Sequence, residues 1–355
     1  MAKVMILAGG TGGHVFPALA VADWLRRHDH RVSWMGTRRG LEARVVSEAG
    51  IELDVLDVSG LRGAGLSTKL QAPGMLVKAL VQAVGHIRRR RPDVVLGMGG
   101  FVAGPGGIAA VGLKVPLVIH EQNRVAGATN RFLARWARRV LEAFPGAFAD
   151  RFRPCWTGNP LRREIQEAGV KRRSAPALRP VRILVLGGSQ GAQPLNEIVP
   201  RALSALGSRI DVWHQSGSAM QAQVTAAYHN AAVKARVDAF IVDMAAAYSW
   251  ADLAICRAGA MTVSELAAIG LGAILVPYPY CRDDHQTHNA KYLAERGAAW
   301  LLPQRELTAD RLSAAVAELI THPDRLQAMG EAARQAARLD ATETVAQICL
   351  EEVLR

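Results

Sequence analysis

The chain contains two copies of one local pattern, in which an apolar strand meets a glycine-rich turn that leads into a helix. In the first copy, the apolar run over residues 3–8 meets Gly9-Gly10-Thr11-Gly12-Gly13-His14, and helix-forming residues follow over 18–27. Glycines let main-chain N–H groups approach an anion or a sugar, and a helix beginning near Pro17 adds the positive end of its dipole. The pattern predicts a ligand-binding turn at the carboxyl end of a strand.

The second copy lies about half a chain later, where a strand over 181–186 meets Gly187-Gly188-Ser189-Gln190-Gly191-Ala192. At roughly 150 residues per domain, the length suits about two domains. We therefore expect an α/β fold with two Rossmann-like parallel-sheet domains that face each other across a cleft. The expected divisions are 1–160, 161–340 and a C-terminal helix over 341–355 that packs back toward the N-terminal domain, with a surface loop over 171–180.

Apolar runs and helical periodicity predict the remaining elements. Helices are expected over 73–91 and 129–139 and from residue 308 onward, and loops over 61–66, 99–107 and 278–289. Strands are expected over 32–35, 51–58, 93–98, 115–119, 211–215, 237–240, 253–256 and 273–277. The uncharged run over 94–113 is as long as a membrane span, but seven glycines and Pro105 interrupt it, which favours strand, loop and helix over a spanning helix.

Cysteine usage and the N-terminus both bear on the compartment. The four cysteines form no Cys-x-x-Cys pair, so neither a zinc site nor a disulfide framework is indicated. This favours a reducing, cytoplasmic setting. We expect no secretion signal, because the chain enters a strand almost at once.

The formal charge of +12 is unevenly distributed along the chain. Residues 1–150 hold 20 Lys and Arg against 11 Asp and Glu, a balance of +9 that leaves +3 for the remainder. This predicts an anionic surface, phospholipid or nucleic acid, as a partner of the N-terminal half. The helix over 73–91, which ends in four arginines, is either packed on the core with a solvated basic end or partly seated in an anionic membrane surface.

Two further motifs place polar groups where strands end. His120-Glu121-Gln122-Asn123 follows an apolar strand, and polar residues there indicate a function because parallel strands are buried on both faces. Arg257 and Glu265 flank another glycine turn and helix start. Arg257 could oppose a phosphate, and Glu265 could either cap the helix or accept hydrogen bonds from ribose hydroxyls.

Several classes of function are disfavoured by what the motifs lack. Val15 stands where the dinucleotide fingerprint needs its third glycine, and no acidic residue follows the second strand, which argues against an NAD-dependent oxidoreductase. Asp283 and Asp284 are adjacent and point apart, so we expect no bound metal. The sequence has no helix-turn-helix, zinc or aromatic stacking pattern, so we expect no nucleic-acid partner.

Taken in order, these motifs and Gly158-Asn159-Pro160-Leu161-Arg162 give the chain a close resemblance to the MurG type of GT-B glycosyltransferase over about residues 3–350. The resemblance implies inverting transfer of N-acetylglucosamine from UDP-N-acetylglucosamine to the muramyl C4 hydroxyl of undecaprenyl-diphosphate-linked muramyl-pentapeptide. That reaction converts lipid I to lipid II in peptidoglycan synthesis. The implied setting is peripheral, at the cytoplasmic face of the inner membrane, with an acceptor- and membrane-facing N-terminal domain, a UDP-sugar-binding C-terminal domain and no cofactor.

The resemblance also implies roles for individual residues. In the second domain, Ile241 would present backbone groups to uracil and Glu265 would accept the ribose hydroxyls. The diphosphate would be held by Ser189 and the backbone of Ala260, Met261 and Thr262, and Val263 and Ser264 of the same helix also count as substrate-binding. Arg162 and Gln286 match donor-contacting positions, while Thr11, Gly12, Gly13 and Asn123 would reach the sugar and the acceptor.

An inverting transfer needs a base that takes the proton of the acceptor hydroxyl. We assign His14, whose free pKa is near working pH, with Glu121 as the reserve and with a helix-capping or core histidine as the structural alternative. Other functions left open are another GT-B transferase or a UDP-sugar epimerase with a soluble substrate, and a basic protein that binds anionic surfaces or nucleic acid without catalysis.

Overall fold

The computed structural model describes residues 1–38, 40–58, 66–171 and 179–354, with the side chains of 66–72 and 282 excepted. The chain forms two compact units, Met1–Arg162 with Arg338–Arg355, and Arg163–Ala337. Most of the loop predicted over 61–66 and most of the loop predicted over 171–180 lie outside the described residues.

The first unit is built on a seven-stranded parallel sheet whose order is β3-β2-β1-β4-β5-β6-β7. Its strands are β1 (Lys3–Ala8), β2 (Arg31–Gly36), β3 (Glu52–Val55), β4 (Val94–Gly99), β5 (Leu117–Glu121), β6 (Arg139–Glu142) and β7 (Cys155–Trp156). Its helices are α1 (Gly12–Arg27), α2 (Leu41–Glu48), α3 (Leu66–Arg90), α4 (Ala103–Gly112) and α5 (Ala128–Leu133). Since strand and helix alternate, all these strands run parallel and the helices cover both faces.

The second unit repeats the plan with six parallel strands in the order β10-β9-β8-β11-β12-β13. Its strands are β8 (Val181–Leu186), β9 (Ile210–Gln215), β10 (Ala235–Asp238), β11 (Leu253–Cys256), β12 (Ala273–Leu275) and β13 (Ala299–Leu301). Its helices are α6 (Arg163–Lys171), α7 (Gln193–Leu203), α8 (Gln221–Asn230), α9 (Met244–Trp250), α10 (Ala260–Ile269), α11 (His285–Ala294), α12 (Ala309–Thr321) and α13 (Pro323–Gln335). The prediction of two α/β units with parallel sheets is confirmed.

The last helix, α14 (Ala341–Glu351), belongs to the first unit. Its buried side chains Val345 and Ala346 share a core with the inner face of α1. Arg138 Nε lies 3.1 Å from the buried carboxylate of Glu352, just beyond the helix. The opposite face of the first sheet is covered by α3, α4 and α5, whose buried residues share a separate core.

The first helix begins earlier than predicted, because α1 starts at Gly12 and Pro17 lies inside it. The proline ring removes only the hydrogen bond to the carbonyl of Gly13, close to an end where few such bonds exist. The consequence matters for the site, since His14 lies in the first turn of the helix and not in a preceding loop.

The loop predicted over 99–107 is wrong for its second half, since α4 begins at Ala103. A Cβ at Gly106 would lie 2.8 Å from Leu7 Cδ1, and one at Gly107 would lie 2.8 Å from Leu133 Cδ1. These glycines therefore let a helix pack closely against β1 and α5. The prediction of strand, turn and helix in place of a membrane span is confirmed.

The helix predicted over 129–139 is also too long, because α5 ends at Leu133 and β6 begins at Arg139. The backbone N–H of Arg138 donates to the carbonyl of Leu117 at 2.7 Å, so the chain turns back to pair with β5. In the second unit, β10 begins two residues before the predicted 237–240, and α11 begins at His285 inside the predicted polar loop.

Candidate active site

In the first unit, the glycine turn after β1 lies directly against the end of β4. A Cβ on Gly100, whose φ is +83°, would collide with the carbonyl oxygen of Gly9. The two main chains can therefore touch because Gly100 has no side chain. Thr11, which is exposed, is the N-cap of α1, so the N–H groups of Gly12 and Gly13 have no acceptor within the helix.

The buried carboxylate of Glu42, which the sequence did not indicate, stabilises this turn. Glu42 accepts hydrogen bonds from the backbone N–H of Gly10 at 3.0 Å, from the backbone N–H of Thr37 at 2.9 Å and from the Thr37 hydroxyl at 2.6 Å. Glu42 was missed because α2 was not predicted. An acidic residue in the first turn of a helix that follows Gly40 is the signal that could have found it.

His14 is half-buried and is neither a core residue nor a cap. Its Nδ1 lies 2.9 Å from Oε1 of Gln122, at the end of β5. A Cβ on Gly99 would lie 2.7 Å from the same nitrogen, so the glycine at the end of β4 leaves room for the imidazole. Three strand ends of the first sheet thus converge on this ring.

Glu121, the reserve base, is buried and surrounded by donors. One oxygen accepts from the backbone N–H and the side-chain amide of Asn123 at 3.0 and 3.1 Å. The other accepts from the backbone N–H of Gly127 at 3.0 Å and from Asn130 Nδ2 at 2.9 Å. A carboxylate with four such bonds stabilises the loop that carries Asn123, which is a structural use of the group.

Arg162 closes the first unit, and its guanidinium carbon lies 5.5 Å from the centre of the Phe16 ring. A cation over an aromatic face is attracted by the ring quadrupole. The side chain is therefore held beside α1, in the same unit as Thr11, Gly12, Gly13 and His14.

In the second unit, the turn after β8 repeats the close approach of main chains. A Cβ on Gly191, whose φ is +76°, would collide with the carbonyl oxygen of Ser216, and one on Gly217 would collide with that of Gln190. Ser189 is exposed at the tip of this turn. The turn thus presents a hydroxyl and backbone groups to solvent at the carboxyl edge of the sheet.

The amino end of α10 lies at the carboxyl end of the neighbouring strand β11. Its first helical hydrogen bond runs from the N–H of Val263 to the carbonyl of Gly259 at 2.9 Å. The N–H groups of Ala260, Met261 and Thr262 therefore have no acceptor within the helix, which makes this end suitable for an anion. Ser264 follows in the next turn and is partly buried.

Glu265 is the sixth residue of α10, beyond the turn from which a carboxylate can reach the N-cap N–H. Its Oε2 accepts a hydrogen bond from the Tyr248 hydroxyl at 2.9 Å, and the residue is 8% exposed. The capping alternative is therefore wrong. A phenol that orients a carboxylate favours a binding role, and Tyr248 was missed because it comes from α9.

The backbone N–H of Ile241 is already bonded inside the protein. It donates to Gln215 Oε1 at 2.8 Å, and Gln215 Nε2 donates to the carbonyl of Gly188 at 2.8 Å. The resemblance implies that backbone groups of Ile241 face uracil. The N–H of Ile241 instead connects this residue, through Gln215, to the glycine turn after β8. Gln215, at the end of β9, is a site residue that the sequence did not indicate.

Arg257 and Gln286 are fixed by backbone groups around the end of β11. The Arg257 guanidinium donates to the carbonyls of Val276 and Pro277 at 3.1 and 3.2 Å, and burial lowers the pKa of this side chain. Gln286 Oε1 accepts from the N–H groups of Ala258 and Tyr278 at 3.2 and 2.9 Å. This leaves the Nε2 amide of Gln286 as a donor without a partner among the described residues.

No group of three or more His, Cys, Asp or Glu side chains is arranged to hold a metal ion within 1–38, 40–58, 66–171 and 179–354. Over the same residues, no helix combines the length and the apolarity that a membrane crossing requires.

The outer side of α3 nevertheless exposes apolar residues. Leu76, Val77 and Val81 are 50%, 62% and 67% exposed. On α5, which covers the same sheet face, Phe132 and Trp136 beyond its end are also exposed and pack edge to face with ring centres 4.7 Å apart. Of the four arginines that end the 73–91 segment, Arg89 and Arg90 bond Asp54 and so anchor α3 to β3, while Arg88 and Arg91 are exposed.

Comparisons with known proteins agree over the whole chain. The N-terminal domain of glycosyltransferase family 28 matches residues 4–142, and the C-terminal domain of the same family matches residues 182–345. A relative from Methylococcus capsulatus, a UDP-N-acetylglucosamine--N-acetylmuramyl-(pentapeptide) pyrophosphoryl-undecaprenol N-acetylglucosamine transferase, is 59% identical over 99% of this chain and 98% of its own. A protein of the same name from Nitrosococcus oceani is 52% identical and covers 98% of both chains.

Among solved structures, the crystal structure of Acinetobacter baumannii MurG superposes with a TM-score of 0.84. It is 40% identical and covers 99% of this chain and 100% of its own. The fold of the chain, in which each parallel sheet has a glycine turn at its carboxyl edge, is therefore that of a GT-B glycosyltransferase.

Proposed function

The chain belongs to glycosyltransferase family 28, and we infer that it transfers N-acetylglucosamine from UDP-N-acetylglucosamine to lipid I, which forms lipid II in peptidoglycan synthesis. The observation that carries this inference is the identity of 59% with a transferase of that name over 99% of the chain. The alternatives of a soluble-substrate transferase, an epimerase and a non-catalytic basic protein have no comparable support.

We propose that the second unit binds the donor. The N–H groups of Ala260, Met261 and Thr262, which have no acceptor within α10, and the exposed Ser189 hydroxyl suit the diphosphate, because a helix amino end and a glycine turn stabilise negative charge. The carboxylate of Glu265, oriented by Tyr248, suits two ribose hydroxyls. The Nε2 of Gln286, which has no partner among the described residues, suits a hydroxyl of the sugar.

These groups also serve the chemical step. When the bond between C1 and the diphosphate oxygen breaks, the leaving diphosphate gains negative charge, and preorganised donors stabilise that charge. Val263 and Ser264 then act by continuing α10, whose dipole points at the diphosphate. The buried guanidinium of Arg257 adds a positive charge at the end of β11.

In the first unit, we propose His14 as the base that removes the proton from the muramyl C4 hydroxyl. The half-buried imidazole is held on one side by Gln122, and imidazole is the side chain that most often serves as a general base, because one of its ring nitrogens can accept a proton. Thr11, Gly12 and Gly13 directly precede it at the start of α1, and Asn123 and Arg162 lie in the same unit to contact sugar or acceptor. Because the Glu121 carboxylate has four internal donors, we propose that it positions Asn123 and does not act as the base.

Calorimetry with three nucleotides tests the donor assignment. We expect UDP-N-acetylglucosamine to bind, UDP-glucose to bind more weakly, and NADP to give no heat of binding. Equal affinities for UDP-N-acetylglucosamine and UDP-glucose would contradict the assignment of N-acetylglucosamine as the donor sugar. Binding of NADP would favour an oxidoreductase.

We also propose that the first unit attaches peripherally to an anionic membrane surface through the outer side of α3 and α5. Leu76, Val77 and Val81 offer apolar contacts, and Trp136 adds an amphipathic ring of the kind found at membrane interfaces. A cavity of about 340 Å³ is lined by Arg131, Arg135 and Arg151, none of which is in an ion pair among the described residues. Uncompensated cations beside apolar groups favour anionic lipid.

Sedimentation with liposomes tests the attachment. We expect binding to vesicles with anionic lipid at low salt, weaker binding at high salt, and little binding to zwitterionic vesicles. The double variant V77S/V81S should bind less, while V170S, which changes a valine of the second unit that is 78% exposed, should not. The proposed attachment would be rejected if binding changed neither with lipid charge nor with salt concentration nor in the V77S/V81S variant.

A further inference from the structure

A chain of hydrogen bonds connects His14 to the core of the first unit. His14 Nδ1 lies 2.9 Å from Gln122 Oε1, Gln122 Nε2 lies 3.2 Å from His120 Nδ1, and His120 Nε2 lies 2.9 Å from the carbonyl oxygen of Gly158. His120 and Gln122 are 0% and 1% exposed. The two buried side chains therefore bond to each other, to the Gly158 carbonyl oxygen and to the half-buried imidazole of His14.

The hydrogen bond to Gly158 determines which ring nitrogen of His120 carries the proton. A carbonyl oxygen only accepts hydrogen bonds, so Nε2 of His120 must carry the proton that it shares with Gly158. Burial lowers the pKa of His120 to about 4, so the ring is neutral near pH 7 and has no second proton. Its Nδ1 is therefore an acceptor.

The orientation of the Gln122 amide follows from its neighbours. The nitrogen faces two acceptors, His120 Nδ1 at 3.2 Å and the His120 carbonyl oxygen at 3.3 Å, so the opposite orientation would place oxygen against both. The backbone carbonyl of Gln122 is itself held by Asn159 Nδ2 at 3.0 Å. The oxygen of the amide thus faces His14, whose Nδ1 must donate.

We propose that Gln122 and His120 are positioning residues that hold His14 in the Nδ1–H tautomer, which places the lone pair on Nε2. This rests on the proposed role of His14 as the base. The acceptor hydroxyl gives its proton to Nε2 as its oxygen bonds to C1, and the C1–diphosphate bond breaks with its electron pair leaving on the diphosphate. The Nδ1 proton stays in place, because a neutral amide oxygen does not take it.

Nuclear magnetic resonance of the full chain with ¹⁵N-labelled histidine reads these tautomers directly. In the wild type, we expect His14 protonated on Nδ1 and His120 protonated on Nε2. In Q122M, which keeps the length of the side chain but loses its hydrogen bonds to His14 and His120, His14 should become a mixture of tautomers. The value of kcat should fall at least about tenfold while the Kd for UDP-N-acetylglucosamine stays the same, since a wrong tautomer removes the base without affecting donor binding.

The matched control is H214N, which changes a buried neutral histidine of the second unit that bonds Tyr228 and Asn196. It should leave the His14 signals unchanged. A wild-type His14 protonated on Nε2 would overturn the proposal without any variant, as would a Q122M protein with the wild-type tautomer and kcat. If instead H14A transferred sugar at the wild-type rate while the tautomers were as expected, the base assignment would fail and the positioning would stand.

Discussion

His14 bonds Gln122 through one ring nitrogen, and Glu265 accepts the Tyr248 hydroxyl through one carboxylate oxygen. Both residues could be selected from the sequence because each follows a glycine turn in a strand–turn–helix pattern. Their partners could not, since Gln122 lies 108 positions from His14 and comes from a different strand. The same holds for Glu42 and Gln215, whose roles depend on long-range contacts that no local pattern encodes.

Replacing His14 by alanine should reduce turnover and spare the donor. We expect kcat to fall by about 10²–10⁴, the usual contribution of a positioned base, with little change in the affinity for UDP-N-acetylglucosamine. Transfer kinetics and calorimetry measure the two quantities separately. Unchanged turnover would exclude His14 from the mechanism.

The variant Glu265→Ala should weaken UDP binding with the fold intact. Hydrogen bonds to a charged group contribute roughly 1.5–3 kcal/mol each, so we expect a loss of affinity of at least about tenfold. Tyr248→Phe, which removes only the orienting hydroxyl, should lose less. Equal UDP affinity in wild type and Glu265→Ala would refute the ribose assignment.

At the scale of elements, strand positions were predicted well and helix boundaries less well. β8, β11 and most inner strands stand out as short apolar runs, whereas β6, β7 and β13 were not predicted. β7 and β13 are only two and three residues long, and β6 follows a stretch whose pattern is typical of a helix. The glycines of α4 favoured a loop by composition, and the helix forms there because close packing against Leu7 and Leu133 outweighs propensity.

Two glycine variants compare a glycine that a close main-chain contact requires with a glycine at an open helical position. Gly100→Ala should destabilise the first unit by roughly 1–3 kcal/mol, because φ is +83° and the new Cβ meets the Gly9 carbonyl. Gly85→Ala, at an exposed position of α3 where no described residue outside the local helix backbone lies within 4 Å of the new Cβ, should instead stabilise by about 0.5–1 kcal/mol. Thermal unfolding of both variants compares them, and a Gly100→Ala protein as stable as the wild type would contradict the contact.

At the scale of the whole molecule, each unit buries a neutral histidine in its core. Burial lowers the pKa of His120 to about 4 and that of His214 to about 3, against 6.5 for a free histidine. The unfolded chain therefore binds protons that the folded chain does not, and stability is lost as the pH falls from 6.5 toward 4. Composition and repeated motifs sufficed to predict two units, but not this acid sensitivity.

We expect the free energy of unfolding to fall by about 1.5 kcal/mol per buried histidine between pH 6.5 and pH 5, because the unfolded histidine is half protonated at pH 6.5 and the slope approaches 1.36 kcal/mol per pH unit only below that value. Denaturant unfolding at the two pH values measures the loss. H214N should lose less stability over this interval than the wild type, although it starts from a lower value. An equal loss in both proteins would show that His214 does not contribute.

The central claim, that this chain attaches N-acetylglucosamine to a lipid-linked muramyl acceptor with inversion, is tested most directly by the product. Purified protein is incubated with UDP-N-acetylglucosamine and polyprenyl-diphosphate-linked muramyl-pentapeptide, and the isolated product is analysed by mass spectrometry and by the anomeric coupling of its new linkage. We predict one UDP released per lipid-linked disaccharide, joined by a β linkage to the muramyl C4 oxygen. Release of UDP without disaccharide, an α linkage, or a donor sugar altered at C2 would contradict it.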